Sequence, residues 1–558
     1  MEKRLLIAIV LSFLVLFLYQ AVFVKKQPPP ELTPESIPKK VTRAEEKPVL
    51  ELPTESEPQA QAQEARREPT EPVAFQPITS DREEQIIVDT SLYRGVWSNK
   101  GGTLRSWRLK EYKDSAGDVL ELVSANAEEI GTYPFFLMSN DSEFDRTINN
   151  ALYNISPYKL ELANGQSGTL RFEYADDQGN RVEKILTFQD GSYGFGTEIN
   201  VWKNGQKIEP SVLWGPSLGN PSLEEQKKRF GGSTGIAIHY GEKFDHLDER
   251  KYKPEQSVFP KEYFIQWAGY EDQYFTALYI TSPRESQALF LKEDVGEKAY
   301  FFLSVDHVQK TYLGPKQHDA LKAFGHKSSK IIKYGFFGMI AEILYQAIKA
   351  IHTAVPNWGF SIIILTIIIK IVFFPLTYSS TKSMAKMQEL QPKIKALKAK
   401  YKKAKQDIAQ RRKMNEETMA LYKEHGVNPA GGCLPMLIQL PIFWGFFRLL
   451  IVSIEFRHSP FILWISDLSI KDPYYVTPIL MGITQFISQK MTPTSADPTQ
   501  QRMMLIMPVI MTIFFMNFQS GLVLYWLTNN ILQIGQQYIM NRTMKKKKRE
   551  SHGKKRKK

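Results

Sequence analysis

The sequence predicts an α-helical, polytopic membrane protein of six spans joined to a large all-β domain. Six strongly apolar segments, about 245 residues of short alternating runs between the first two of them, and two basic blocks on one side predict it. The 558-residue chain carries a formal charge of +13. Residues 378–431 (13 Lys/Arg against 5 Asp/Glu) and 541–558 (11 against 1) hold +18 of it, so the remainder is net acidic at −5. An evenly basic chain would suggest nucleic acid; basic patches beside apolar spans suggest membrane topology. The single cysteine, Cys433, excludes an intramolecular disulfide and a cysteine-built metal site, and in its apolar run it reads as a small buried residue.

Residues 5–24 form a 20-residue apolar run behind Lys3 and Arg4. A cleaved signal peptide is the competing reading, but its core would be ~7–15 residues ending at a small-x-small site. This run is longer and finishes in aromatic and branched residues, so residues 1–26 read as an uncleaved span. Residues 27–80, rich in Pro, Glu, Gln and Lys, bury too little apolar surface to offset chain entropy and read as a tether. Between 81 and 325, runs such as GTLRFEYADDQGNRVEKILTF alternate, with DG, NG and QG steps every 10–20 residues. That spacing predicts a large antiparallel sandwich.

Within 326–356, Ile332, Phe336, Met339, Ile343, Ala347 and Ile351 recur at helical spacing, with Lys333, Glu342 and Lys349 on other faces. The pattern predicts an amphipathic helix in the membrane interface; a core helix of the preceding domain is the alternative. Five apolar segments follow inside 357–541, at about 358–376, 433–452, 474–491, 503–518 and 520–540. With the first they number six, so both termini share one side. The basic segment 378–431 and the basic tail 542–558 fall on that side, which the positive-inside rule makes cytoplasmic, and the β domain lies outside.

Lys370 is the sharpest feature. Its span holds 13 Leu, Ile, Val and Phe residues, worth roughly 4–8 kcal/mol towards insertion. One central lysine costs ~2.5–3.5 kcal/mol, so the span still inserts. Lys370 lies six residues inside Leu376, about 9 Å at helical rise, with Thr366 one turn away on the same face. Snorkelling to headgroups competes with a cation facing a water-filled cavity between helices. Gln439, Gln485, Gln489, Asn529, Asn530, Gln533, Gln536 and Gln537 are singly interhelical glue, yet with Lys370 they suggest a polar interior. No carboxylate sits inside the spans, and Glu455 and Asp467 fall in the outer loop.

In the cytoplasmic segment, Met387, Leu390, Ile394, Leu397, Tyr401, Ala404 and Ile408 follow a heptad seam that breaks near Arg411, and a second helix follows from Met414 to His425. A helical hairpin results, with Pro392 near a helix start or kink. Its lysines form a solvated face or meet anionic headgroups and ribosomal RNA. The fifth span is methionine-rich, which suits packing or a surface that receives many helices. No GxxxxGK[ST] or HExxH motif occurs, and the nine histidines are scattered.

The run NPAGGCLPMLIQLPIF (428–443) closely resembles the YidC family of membrane protein insertases, relatives of the Oxa and Alb proteins of organelles. The likeness extends through WGFSIIILTIIIK (358–370), PLTYSSTKSMAKMQELQPKI (375–394), DPYYVTPILMG (472–482) and SGLVLYW (520–526). The outer stretch WAGYEDQYFTALYI (267–280) is similar to the Gram-negative type, whose periplasmic domain is a β-supersandwich. The resemblance implies a five-helix core around a hydrophilic groove, open to cytoplasm and lipid. It places Lys370 as the docking cation, where relatives more often carry arginine, so the bidentate fork is lost. It implies a groove of Lys370, Thr366, Gln439, Trp526, Asn529 and Gln533, and a hydrophobic slide of Ile438, Phe443, Met504, Met507 and Met511. Trp526 stands where relatives often carry a second tyrosine.

The implied function is insertion and folding of nascent membrane proteins, alone or with the Sec translocon. Ribosomes would meet the basic tail and hairpin, anionic lipids would be further partners, and neither cofactor nor metal is expected. The implied site of action is the bacterial inner membrane. A secondary transporter using Lys370 is the alternative, but no inverted repeat is visible. An enzyme is the second rival, without a convincing acid–base pair to support it.

Overall fold

The computed structural model describes residues 75–556 except 115, 220–233, 255–257, 260–263, 297, 402–406, 428–433 and 493–497, with backbone alone at 258, 434–437, 498–503 and 544–556. The expected N-terminal span 1–26, the tether up to residue 74, Cys433 and the start of the 428–443 motif lie outside the described residues.

Strand alternation builds the β-rich part. In Arg181–Gln189, Val182, Lys184, Leu186 and Phe188 turn inward while their neighbours face out. Three sheets result. The largest runs Lys243–Asp248, Gly235–Tyr240, Ile265–Glu271, Phe275–Thr281, Val308–Pro315, Gly194–Lys203, Arg181–Gln189, Ser167–Ala175, Asn154–Ser156, with Gln206–Ile208 beside Gly194–Lys203. A second runs Val119–Glu121, Thr103–Lys113, Tyr93–Ser98, Gln85–Asp89, Lys159–Glu161, and a third Val258–Phe259, Ala288–Val295, Lys298–Val305, Ser211–Trp214, Leu137–Met138. Among the described strands the pairing is antiparallel save Gln85–Asp89 with Lys159–Glu161.

Trp97, Trp107, Trp214 and Trp267 are fully buried between the sheets. The body starts before residue 81: Ile78 bridges Ala175, and the Ser80 amide donates to the Leu152 carbonyl (3.0 Å). Short helices α1 (Asn126–Ile130), α2 (Ser142–Asn150) and α3 (His318–Phe324) complete it.

Helix α4 (Gly338–Ala354) follows and is apolar on two faces. Ala341, Leu344, Tyr345 and Ile348 are buried, whereas Met339 (80% exposed) and Ile343 face out, as does Phe336 just before the helix, so the segment both packs and presents an apolar stripe. Asn357 then caps α5 (Trp358–Val372) by accepting from the Phe360 amide (3.1 Å), and the chain bends by 120° between α4 and α5. The predicted span 358–376 is broken: Phe373 interrupts it, and α6 (Phe374–Glu389) begins with Pro375, whose missing N–H costs nothing in a first turn.

The hairpin arms are α7 (Gln391–Lys400) and α8 (Ile408–Glu424), with Pro392 in the first turn of α7. Met387, Leu390 and Ile394 of the seam close a small core with Val427, but Ile408 is 80% exposed, because it opens the second arm instead of continuing the first. Then come α9 (Leu434–Val452), α10 (Val476–Met491), α11 (Pro498–Phe515) and α12 (Ser520–Arg556), the last continuing as helix through the basic tail to residue 556. Among the described residues no single helix is long and apolar enough to cross a bilayer; the bent α4–α5 pair qualifies by length and composition.

Helix α12 lies along α10 and α5, and α4 along α9 and α5. At one end the core meets the β domain. There the Tyr345 hydroxyl donates to Glu455 Oε1 (2.9 Å), the same oxygen accepts from the His318 amide (3.3 Å), and burial pushes the Glu455 carboxyl up.

Candidate functional site: a polar layer within the helical core

Lys370 occupies the last turn of α5, where the carbonyl end of the helix favours a cation. Its neighbours Ile367, Ile368, Ile371 and Val372 are exposed, while Lys370 is half-buried and turned to α12. Its Nζ donates to Gln533 Oε1 (2.9 Å). One turn earlier on α12, Asn529 Oδ1 accepts from Gln439 Nε2 of α9 (2.9 Å). Residues four apart share a helix face. Thus α12 offers two amide acceptors, one engaged by α5 and one by α9. Among the described residues no carboxylate lies within ion-pair distance of Lys370.

The structure brings together Lys370, Gln533, Asn529 and Gln439, but treats Thr366 differently. Thr366 is 1% exposed, and its hydroxyl donates to the Ile362 carbonyl of its own helix (2.7 Å). A buried hydroxyl needs a partner, and this one finds it locally, so Thr366 packs as a β-branched wall residue.

Trp526 belongs to the end of the layer nearer the β domain. Its indole N–H donates to Gln485 Oε1 (3.3 Å), and its ring meets Phe443 edge-on (4.9 Å) and Phe515 at a tilt (5.3 Å). Phe447 and Phe518 extend this cluster, and the buried Tyr525 stacks on Phe446 (4.5 Å). Tyr525, Phe446 and Phe515 were missed as site residues in the sequence. Their signal was the recurrence of aromatics at 443/446/447, 514/515/518 and 525/526. Asn530, on the far side of Asn529, donates to the Met481 carbonyl (3.1 Å) and joins α12 to α10.

The residues of the expected slide, Ile438, Phe443, Met504, Met507 and Met511, are half-buried. The outermost face of α11 is formed instead by Ile506, Val509, Ile510 and Ile513, and Met511 packs against the core. Exposed Ile479, Ile483 and Ile487 on α10 and Ile531 and Ile539 on α12 extend the apolar surface beyond what a water-facing protein carries. Among the described residues, the buried side-chain oxygens of Gln489, Gln536 and Gln537 find no hydrogen-bond partner.

Chemically, the layer supplies one ammonium and several amides. It can hold an anion or a polar segment through charge-assisted hydrogen bonds. Among the described residues no cluster of His, Cys, Asp or Glu could hold a metal ion.

Comparison with known proteins gives the identity of the fold. The family described as 60Kd inner membrane protein matches residues 350–548, and the YidC periplasmic domain matches residues 85–347. The membrane protein insertase YidC of Syntrophus aciditrophicus is 38% identical over 97% of this chain and 100% of its own length. That of Geobacter sulfurreducens is 37% identical over 98% and 99%. A crystal structure of an active YidC insertase with its first transmembrane domain resolved covers 84% of this chain and 95% of its own, at 20% identity and a TM-score of 0.35. The chain belongs to the YidC family of membrane protein insertases, bacterial inner-membrane proteins with a periplasmic domain that act on nascent membrane proteins.

Proposed function

We propose that the polar layer is the groove through which substrate segments pass into lipid, with Lys370 as the docking charge. The observation that carries this reading is a half-buried ammonium, flanked by exposed isoleucines, whose described partner is a neutral amide. A cation so placed favours an anion that arrives with substrate. Gln439, Asn529 and Gln533 would offer polar contacts along the path, Thr366 its wall, and Trp526 with its aromatic neighbours a plug towards the β domain. Ile438, Phe443, Met504, Met507 and Met511 would guide the apolar part of the substrate into lipid, and the protein would chaperone its folding without bond-making chemistry.

The proposed topology has six spans: 1–26 and the five segments at about 358–376, 433–452, 474–491, 503–518 and 520–540. Both termini are cytoplasmic, the tether 27–80 and the β domain 81–325 periplasmic, and 326–356 interfacial. The hairpin 378–431 and tail 542–558 would meet ribosomes and anionic headgroups, and the Sec translocon would cooperate for some substrates.

The test is photocrosslinking from positions 439, 507 and 526 during synthesis of short membrane proteins with acidic tails. Adducts to nascent helices are expected; adducts to lipid alone would sink the groove. Lys370→Gln should impair insertion and Lys370→Arg should preserve it.

A further inference from the structure

The docking charge is not idle in the structure. Lys370 Nζ is tied to Gln533 Oε1 at 2.9 Å, across 163 residues of chain, and Gln439 is tied in the same way to Asn529 one turn along α12. We infer that Gln533 is a specificity-determining latch, occupying the acceptor position of Lys370 so that an incoming segment must out-compete a neutral amide to dock. This rests on the proposed role of Lys370 as the docking charge.

The chemistry sets the threshold. An ammonium bonds a carboxylate about twice as strongly as it bonds a neutral acceptor. A substrate aspartate or glutamate therefore displaces Gln533 with a net gain. A substrate asparagine or glutamine exchanges one amide for another and gains nothing. The resident amide subtracts the same amount from both, so it sets a threshold that an acidic tail clears to saturation and a neutral one does not. The latch also keeps the cation partnered between substrates, limiting the cost of leaving a half-buried charge bare. A glutamine suits this place: it reaches Lys370 from α12, accepts one hydrogen bond, and carries no charge that would block the site permanently.

The experiment uses full-length protein in liposomes and a pair of single-span substrates differing only in whether the tail carries Asp or Asn. The readout is the ratio of inserted acidic to inserted neutral substrate, in which a folding deficit common to both cancels. Gln533→Leu removes the acceptor, and Gln533→Asn keeps the amide but shortens its reach. With each substrate at a concentration at which the acidic tail already saturates the site, both should lower the ratio about fivefold, the worth of one ordinary hydrogen bond, because only docking of the neutral substrate can still rise. Gln533→Glu should lower it by the opposite route, pairing Lys370 internally and suppressing the acidic substrate. An unchanged ratio in the Leu and Asn variants, with the acidic advantage still lost in Lys370→Gln, would overturn the latch and leave the docking charge standing. An acidic advantage that survives Lys370→Gln would overturn both.

Discussion

The side-chain amide of Gln273, at the turn of a β-hairpin, donates a buried hydrogen bond of 2.7 Å to the main-chain carbonyl of Ile451, 178 residues later in the chain. Helix α9 ends at Val452, so the Ile451 carbonyl has no partner within its own helix. The β domain therefore caps a helix of the insertase core. Around this bond, Arg457 lies over the rings of Tyr274 and Phe275 (5.3 and 5.5 Å), and its Nη2 donates to the Lys113 carbonyl (2.9 Å). Replacing Gln273 by leucine leaves that carbonyl buried and unpaired, at a cost of about 1–3 kcal/mol. A lower unfolding midpoint in detergent, for the helical core as well as the β domain, is the expected result.

Beside that turn, Glu271 is buried between Lys316 Nζ (2.8 Å) and His246 Nδ1 (2.7 Å). Burial alone would raise its carboxyl, but Lys316 and His246 hold it down at about 2, below the ordinary 4.5. A depressed carboxyl contributes stability that is present above pH 4.5 and is lost as pH falls towards 2. Glu271→Gln should flatten the acid limb of the stability profile in that window. Because Lys316 then stays buried without its carboxylate, it should also cost roughly 3–5 kcal/mol at neutral pH. Tryptophan fluorescence against denaturant at a series of pH values reads both.

Lys184 adds a second rise of stability with pH, in a higher window. It is fully buried on the inner face of its strand, where Nζ donates to the carbonyls of Gly101 (2.6 Å) and Phe135 (2.7 Å), and burial lowers its ammonium to about 7 from 10.5. Between those values the unfolded chain binds a proton that the folded chain does not, so stability rises with pH across that window. Subtracting the profile of Lys184→Met from that of the wild type should isolate the rise. A difference flat from pH 7 to 10 would show that the lysine keeps its proton.

Helices α10 and α11 approach closely at Gly482, where a Cβ would overlap the Thr512 hydroxyl. That hydroxyl donates to the Pro508 carbonyl (2.8 Å), which holds it in place. Gly482→Ala should lower the unfolding midpoint in detergent by an amount corresponding to about 1–3 kcal/mol. Adding Thr512→Ala should recover most of the loss, since it removes the atom in the way. Two losses that simply add would place the strain elsewhere.

What the sequence by itself determined is what local chemistry encodes. Alternating runs between 81 and 325 named a large antiparallel β domain, apolar runs marked the stretches that hold the core helices, and the motifs from 358 to 526 named the family. Lys370 was legible as the one cation of its span. Tertiary structure decided which groups meet. It paired Lys370 with Gln533, turned the Thr366 hydroxyl back on its own helix, set the branched residues of α11 outermost instead of its methionines, and capped α9 from the β domain with Gln273. The reason is physical. A helix such as α9, apolar nearly all round, carries no periodic signal for its rotation about its own axis. Which of its side chains face a neighbour is then settled by how several helices interlock, with partners a hundred or more residues apart.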